Sequence, residues 1–288
     1  MSALRVELRS AADVLRAAGV PSADFDASAL AAHVLGVRIG DLARVERLED
    51  TDRADFAALV ERRAQRVPLQ HLTGSVGFRH LQLDVGPGVF VPRPETEHVV
   101  QWALDAVRSQ GWDCPLLVDL CTGSGAIALA LVDELPRAHV HAVERDASAL
   151  AWAQRNLDRL AIEGDSRVHL HHGDARTALP ELNGTVDLVI SNPPYVATTE
   201  SWVPEPEVLK HDPAAALWGG LDGLDVIREV EIAARRLLRP GGLVVVEHSD
   251  RQGKEAPAVF EAAGGWADVA DHQDLTGRDR FLTARWAE

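Results

Sequence analysis

From about Leu116 onward the chain alternates apolar runs of strand length with stretches of helical periodicity, and this alternation constrains its fold more than any other feature. Leu116–Leu120, Val140–Glu144, Val168–His171, Val186–Ile190 and Leu243–Glu247 read as strands, with two more expected over 266–270 and 281–286. Ala126–Leu135, Ala147–Leu160 and Ile227–Leu238 read as helices between them. Strands separated by helices cannot close as hairpins. They pair in parallel through right-handed crossovers, with helices on both faces. The expectation is an α/β fold: a doubly wound, mostly parallel, seven-stranded sheet.

The first part of the chain follows a different pattern. Leu4, Leu8, Ala11, Ala12 and Leu15 recur at helical spacing, Gly19-Val20-Pro21 breaks the run, and Ser22 stands where an N-cap would. A second helical stretch carries Leu30 and Val34, and a third, from Thr51 or Asp52, carries Phe56, Leu59 and Val60. These make a small helical bundle over 1–72. Val76 and Phe78, then Leu81, Leu83 and Val85, alternate among glycines, so a β-hairpin linker is expected over 73–90. The remainder, 91–288, forms the α/β domain.

Charge and cysteine content exclude several functions. With 29 Lys and Arg against 44 Asp and Glu, the net charge is −15, unfavourable for a surface that grips a phosphate backbone. Only Cys114 and Cys121 could form a disulfide, so no disulfide framework exists and a reducing compartment is expected. The apolar stretch around 126–132 is far shorter than the ~20 residues of a membrane helix.

Asp119-Leu120-Cys121-Thr122-Gly123-Ser124-Gly125 occupies the turn from the first strand of the sheet into its helix, outside a carboxyl strand end, where doubly wound sheets bind ligands. Gly123 and Gly125 allow close approach of a ligand to the backbone. Glu144, at the end of the next strand, suits a ribose diol. The pattern falls short of the dinucleotide fingerprint: Cys121 replaces the first glycine and Ala128 the third. No run cradles a pyrophosphate, so an adenosine ligand without a diphosphate is favoured, and S-adenosyl-L-methionine fits. Its amino acid end is expected against Cys121–Gly125 and its ribose against Glu144, with the adenine near Asp174.

Ser191-Asn192-Pro193-Pro194-Tyr195 follows the fourth strand. The Asn192 side-chain oxygen and the Pro193 carbonyl are two fixed acceptors suited to a planar NH2 group, and Tyr195 offers a wall for a flat group. Amide nitrogen is a poor nucleophile because its lone pair is delocalised. Acceptors on both N–H groups would orient it and stabilise the charge that develops during transfer. The histidines at 169, 171 and 172 are read as structural or surface groups, on the argument that strand alternation splits them between faces, and no metal is expected. His211 and Asp212 are read as a loop brace.

Taken together these residues resemble the release factor glutamine methyltransferases of bacteria, the PrmC/HemK family, over almost the whole chain. Phe90-Val91-Pro92-Arg93-Pro94-Glu95-Thr96-Glu97 is similar to that family's signature segment, 119–129 to its cofactor loop, and 191–195 to its substrate motif. The segments 205–208, 211–213, 216–217, 219–223 and 274–280 are similar to its later loops. The resemblance implies a Rossmann-like class I methyltransferase that uses S-adenosyl-L-methionine and releases S-adenosyl-L-homocysteine. It also implies methylation of N5 of the glutamine in the Gly-Gly-Gln loop of class 1 peptide chain release factors, with the N-terminal helices docking that partner, as a cytoplasmic monomer without DNA or membrane. By position, Asn192 and Pro193 would be catalytic and Pro194, Tyr195, Phe90, Arg93 and Glu95 would complete the substrate site. Cys121, Thr122, Gly123, Ser124, Gly125, Glu144, Asp174, Ala175 and Asn192 would line the cofactor site. Three departures stand out: Cys121 for glycine, Ala175 where relatives often carry an aromatic, and Glu247-His248-Ser249-Asp250 after the fifth strand of the α/β domain. Two competing expectations are a DNA adenine-N6 methyltransferase, which shares Asn-Pro-Pro-Tyr, and a release-factor-binding module without turnover.

Overall fold

The structure, a computed structural model, describes residues 2–160, 167–199 and 205–288. The chain divides into two compact units.

The first unit comprises Met1–Ser75, Val85–Pro87 and Pro204–His211. It contains helices α1 (Ala3–Ala17), α2 (Ala23–Leu35), α3 (Asp50–Ala64) and the short α4 (Leu69–Thr73). The apolar positions read at helical spacing form its core: Leu4, Ala11 and Leu15 pack with Leu30, Ala31, Phe56 and Val60. Ser22 precedes α2, but its side chain makes no cap bond; its carbonyl instead accepts from the Asp26 N–H. The segment around 205–211, far along the chain, belongs to this unit because a buried ion network holds it. Arg63 donates to Asp26 at 2.7 Å and to Glu207 at 2.9 Å, and Arg66 donates to Glu207 at 2.5 and 2.7 Å.

The second unit comprises Val76–Asp84, Gly88–Val203 and Asp212–Glu288. A two-stranded sheet of β1 (Ser75–Phe78) and β2 (Leu81–Asp84) precedes helix α5 (Thr96–Gln110). Then follow β3 (Leu116–Leu120), α6 (Ala126–Glu134), β4 (His139–Glu144), α7 (Ala147–Leu160), β5 (Val168–His172) and β6 (Val186–Ser191). After the short α8 (Pro206–His211), which belongs to the first unit, the second unit continues with the short α9 (Ala214–Leu217), α10 (Asp225–Leu237), β7 (Leu238–Glu247), α11 (Glu255–Ala263), β8 (Trp266–Gln273) and β9 (Asp279–Trp286).

The sheet has seven strands in the order β5-β4-β3-β6-β7-β9-β8. The β3–β4, β4–β5, β3–β6 and β6–β7 pairs are parallel, and β9 runs antiparallel between β7 and β8. Alternate side chains feed two cores. Leu117, Val140, Leu188 and Val245 meet α5 and α6 on one face, while Val118, Leu120, Val189 and Val244 meet α10 and α11 on the other. Burial on both faces is why these strands read as nearly unbroken apolar runs. β7 starts five residues earlier than its apolar run suggests, at Leu238, with a register shift against β6 between Val186 and Leu188. The direction of winding reverses between β3 and β6, so the crevice for a ligand opens at their carboxyl ends. Among the described residues, no helix is long and apolar enough to cross a membrane.

Candidate active site

At the carboxyl end of β3 the chain turns through Cys121–Gly125 into α6, with Cys121, Gly123 and Gly125 all in the left-handed region (φ 63°, 57° and 82°). Each serves a different purpose. A β-carbon built at Gly123 meets nothing within 4 Å, so this backbone borders open space, whereas one at Gly125 presses on Leu129 and Ala153. Gly125 therefore permits close helix packing. Cys121 adopts an angle costly for any residue with a side chain, and burial pushes its half-buried thiol well above its ordinary value.

Asp119 and Glu144 fix the loop from both sides. Asp119 is fully buried; its Oδ2 accepts from Thr122 Oγ1 at 2.5 Å and the Ala128 N–H at 3.2 Å. Its Oδ1 is buried without a hydrogen-bond partner, and burial pushes the carboxyl up to about 7. Glu144 Oε2 accepts from the Gly123 N–H at 2.9 Å, while Oε1 accepts from the N–H groups of Arg145 and Asp146 at 2.8 Å. The fold thus joins the loop to the strand-end acid picked out in the sequence. The Gly173 N–H donates to the Glu144 carbonyl, which brings the start of the 174–175 segment alongside. Asp174 is exposed and its Oδ1 caps the Arg176 N–H at 2.9 Å; Ala175 is buried in the apolar core. Ser124 is buried, with its carbonyl accepting from Asn156 at 3.0 Å.

The Asn192–Tyr195 turn leaves β6 beside this loop. Leu120 and Ser191, the last residues of β3 and β6, are register partners, and Ser191 Oγ donates to the Leu120 carbonyl at 2.7 Å. Pro193 and Pro194 are buried; Asn192 and Tyr195 are half-buried. The turn is clamped from behind. Gln252 Nε2 donates to the Tyr195 carbonyl at 3.1 Å, and Gly219 and Gly223 lie so close that a β-carbon at Gly219 would fall 2.7 Å from the Pro194 carbonyl oxygen. This is the physical reason for the glycines in the 219–223 segment.

Asn192 Nδ2 donates to Thr96 Oγ1 at 3.0 Å, and the Tyr195 hydroxyl donates to Glu247 Oε1 at 3.2 Å. Burial pushes the Glu247 carboxyl up to about 7 against the opposing effects of Thr96, Arg280 and Tyr195, and burial also raises the Tyr195 hydroxyl. Arg93 lies 5.0 Å from the Phe90 ring and donates to Asp212 at 2.8 Å. Asp212 is thus the brace read from the sequence, its carboxyl raised to about 6 by burial. Glu95 immediately precedes α5 and raises the Glu247 carboxyl through its charge.

Sequence reasoning missed Thr96, Glu247 and Gln252. Thr96 lay inside a noted segment and Glu247 inside a noted departure, but neither carried a local signal of its polar partner. The histidine argument is corrected in part. His141, His169 and His171 sit at positions that alternate onto one face of neighbouring strands, with His141 Nδ1 and His171 Nε2 3.0 Å apart; only His172 falls on the other face. No group of three His, Cys, Asp or Glu among the described residues is arranged to hold a metal ion.

Residues 8–74 match the family described as PrmC N-terminal domain, and residues 106–205 match the methyltransferase small domain. The chain is 55% identical to a release factor glutamine methyltransferase of Streptomyces coelicolor, over 100% of this chain and 99% of that one. It is 46% identical to the protein of the same name from Mycolicibacterium smegmatis, over 99% and 98%. It is also 40% identical, over 96% and 93%, to a 4-amino-L-phenylalanine/4-methylamino-L-phenylalanine methyltransferase of Streptomyces pristinaespiralis. Among solved structures, the catalytic domain of hMettl16 in complex with MAT2A 3'UTR hairpin 6 superposes with a TM-score of 0.56 at 16% identity, covering 80% of this chain and 81% of that one, which shows a shared fold.

Proposed function

The chain belongs to the release factor glutamine methyltransferase family, and from that premise we propose that it transfers a methyl group from S-adenosyl-L-methionine to N5 of the glutamine in the Gly-Gly-Gln motif of class 1 peptide chain release factors. The observation that carries this reading is the exit of the 121–125 loop and the 192–195 turn from register-paired strand ends at the winding reversal.

The residues at β3 suit the cofactor. Open space at Gly123, an unpartnered buried oxygen on Asp119 and the carboxylate of Glu144 at the strand end match a ligand with an amino group and a ribose. Cys121, Thr122, Gly123, Ser124 and Gly125 would hold its amino acid end, Glu144 its ribose, and Asp174 and Ala175 would border its adenine. S-adenosyl-L-methionine supplies a methyl group made electrophilic by positive sulfur.

Everything else falls to this chain's residues. Asn192 Oδ1 and the Pro193 carbonyl accept the two N–H groups of the glutamine amide, fix its plane, and stabilise positive charge developing on nitrogen. Pro194 and Tyr195 shape the slot, and Phe90, Arg93 and Glu95 form the adjoining wall. The helices of 1–72 dock the release factor. The net charge of −15 disfavours a DNA substrate, and the protein works in the cytoplasm as a monomer.

A second reading, transfer to the amine of a small aromatic amino acid, is favoured by the 40% identical relative named for that substrate. Incubation with labelled cofactor and either intact release factor or 4-amino-L-phenylalanine, read by mass spectrometry, separates the two. Methylation of the Gly-Gly-Gln glutamine is the expected result; label only on the amino acid would overturn the proposal. Asn192→Ala should abolish most transfer while leaving cofactor affinity near normal.

A further inference from the structure

Two buried carboxamides stand behind the two loops of the site: Asn156 on α7 and Gln252 in the segment after β7. A side-chain amide offers two N–H donors and one acceptor oxygen, and its two ends have nearly the same shape, so its partners decide its orientation. At both residues every hydrogen-bond partner is a main-chain group, and each main-chain group can play one role only.

Asn156 Oδ1 accepts from the Asp84 N–H at 2.6 Å, and Nδ2 donates to the carbonyls of Asp84 and Ser124, each at 3.0 Å. Turning the amide over would set its oxygen against two carbonyls and its nitrogen against an N–H, so the orientation is fixed. Asn156 thereby ties the end of β2 to the 121–125 loop. Gln252 repeats the arrangement behind the 192–195 turn. Its Oε1 accepts from the Ser249 N–H at 3.0 Å, and Nε2 donates to the Tyr195 carbonyl at 3.1 Å and to the Asp222 carbonyl at 3.4 Å. Little room is left around it: a β-carbon at Gly223 would fall 2.6 Å from Gln252 Nε2 and 2.4 Å from the Tyr195 carbonyl oxygen. Both amides spend their two N–H groups on main chain, so neither has a donor left for a ligand. They share no partner, and each holds a different loop.

We propose that Asn156 and Gln252 are positioning residues with separable effects: Asn156 sets the main chain that receives the methyl donor, and Gln252 sets the turn that receives the acceptor amide. The identity of those two ligands rests on the proposed function, but the two brackets are properties of the chain. The separation follows from what each amide holds. Ser124 lies between Gly123 and Gly125, where displaced backbone loses its fit to a bound ligand, so affinity falls. Tyr195 ends the turn that carries Asn192 and the Pro193 carbonyl. Acceptors displaced there lose their hold on charge that develops only during transfer, so rate falls more than binding. Residues outside a common hydrogen-bond network couple weakly, so the two effects combine without interaction.

The test uses the full chain. Asn156→Asp and Gln252→Glu keep the shape and replace each NH2 by an oxygen facing two carbonyls. Asn156→Asp should weaken calorimetric affinity for S-adenosyl-L-homocysteine by about 10-fold or more. Its single-turnover methylation of a class 1 release factor, at saturating S-adenosyl-L-methionine, should stay within about 3-fold of wild type. Gln252→Glu should do the reverse, slowing that turnover by about 10-fold or more and leaving the affinity within about 2-fold. Asn156→Ala and Gln252→Ala remove the amides without adding an acceptor, and should show the same crossed pattern if an acid prevents folding. A purely structural role would lower the unfolding midpoint without crossing the two functions. Proportional losses of affinity and rate in both variants, or wild-type affinity in the Asn156 variants, would overturn the proposal. Amide hydrogen exchange of the unliganded chain needs no substrate. It should quicken over 122–129 in the Asn156 variants and over 195–196 and 219–225 in the Gln252 variants. Exchange that rises in both regions together would overturn the separation even if methylation succeeds. The crossed exchange pattern with an unmethylated release factor would leave the brackets standing and remove the proposed substrate.

Discussion

Ser191 Oγ donates to the Leu120 carbonyl at 2.7 Å, a bond between the last residues of two adjacent parallel strands that lie 71 positions apart in sequence. It ties together the roots of the two loops that would hold methyl donor and acceptor. Ser191→Ala should cost about 1 kcal/mol of stability. It should slow single-turnover transfer more than it weakens binding of either ligand, because alignment rather than contact is lost. Comparing the rate with the two separate affinities checks this; losses in equal proportion would contradict it.

Cys121 holds a left-handed backbone angle at φ 63°. Cys121→Gly removes a penalty of about 1 to 2 kcal/mol in the folded chain but adds freedom to the unfolded one, so a net stabilisation of about 0.5 kcal/mol is expected. A rise in Tm would show it. Because burial holds the Cys121 thiol protonated, a thiol reagent should modify the exposed Cys114 first.

Glu207 and Arg63 form a buried pair, with side chains 10% and 7% exposed, so their interaction is not the near-neutral surface kind. Burial raises the Glu207 carboxyl, but the hydrogen bonds of Arg66 and Arg63 outweigh it and hold the group below its ordinary value. Glu207→Ala should cost about 3 kcal/mol by leaving Arg63 and Arg66 short of a counter-charge. Faster amide exchange along α3 would report it.

His141 is pushed down to about 4 by burial and then by the neighbouring rings of His169 and His171. Its folded value lies below the unfolded one, so its contribution to stability is complete above about pH 6.5 and is lost as pH falls through about 4. The buried carboxyls at 119 and 247 act in the opposite sense, losing stability as pH rises toward about 7. His141→Gln isolates the histidine: the stability difference between wild type and variant should shift toward the variant on going from pH 7 to pH 4.5, as read by urea unfolding at both.

Much of this protein was legible in its sequence because the informative patterns are local. Apolar runs mark strands, helical spacing marks helix faces, and Gly123, Gly125, Glu144 and Asn192–Tyr195 lie at strand ends wherever those strands sit. Local pattern also has limits, as Ser22 shows by standing at a cap position without making the cap bond. The tertiary structure alone decided which strand ends meet. Placing β6 next to β3 turned two separate motifs into one crevice. It also paired Asn192 with Thr96 across 96 positions, and Arg63 with Glu207 across 144. Periodicity reports which way a side chain faces; the partner it finds there depends on non-local closure of the chain, and buried polar groups, which must be satisfied, are where that closure becomes specific.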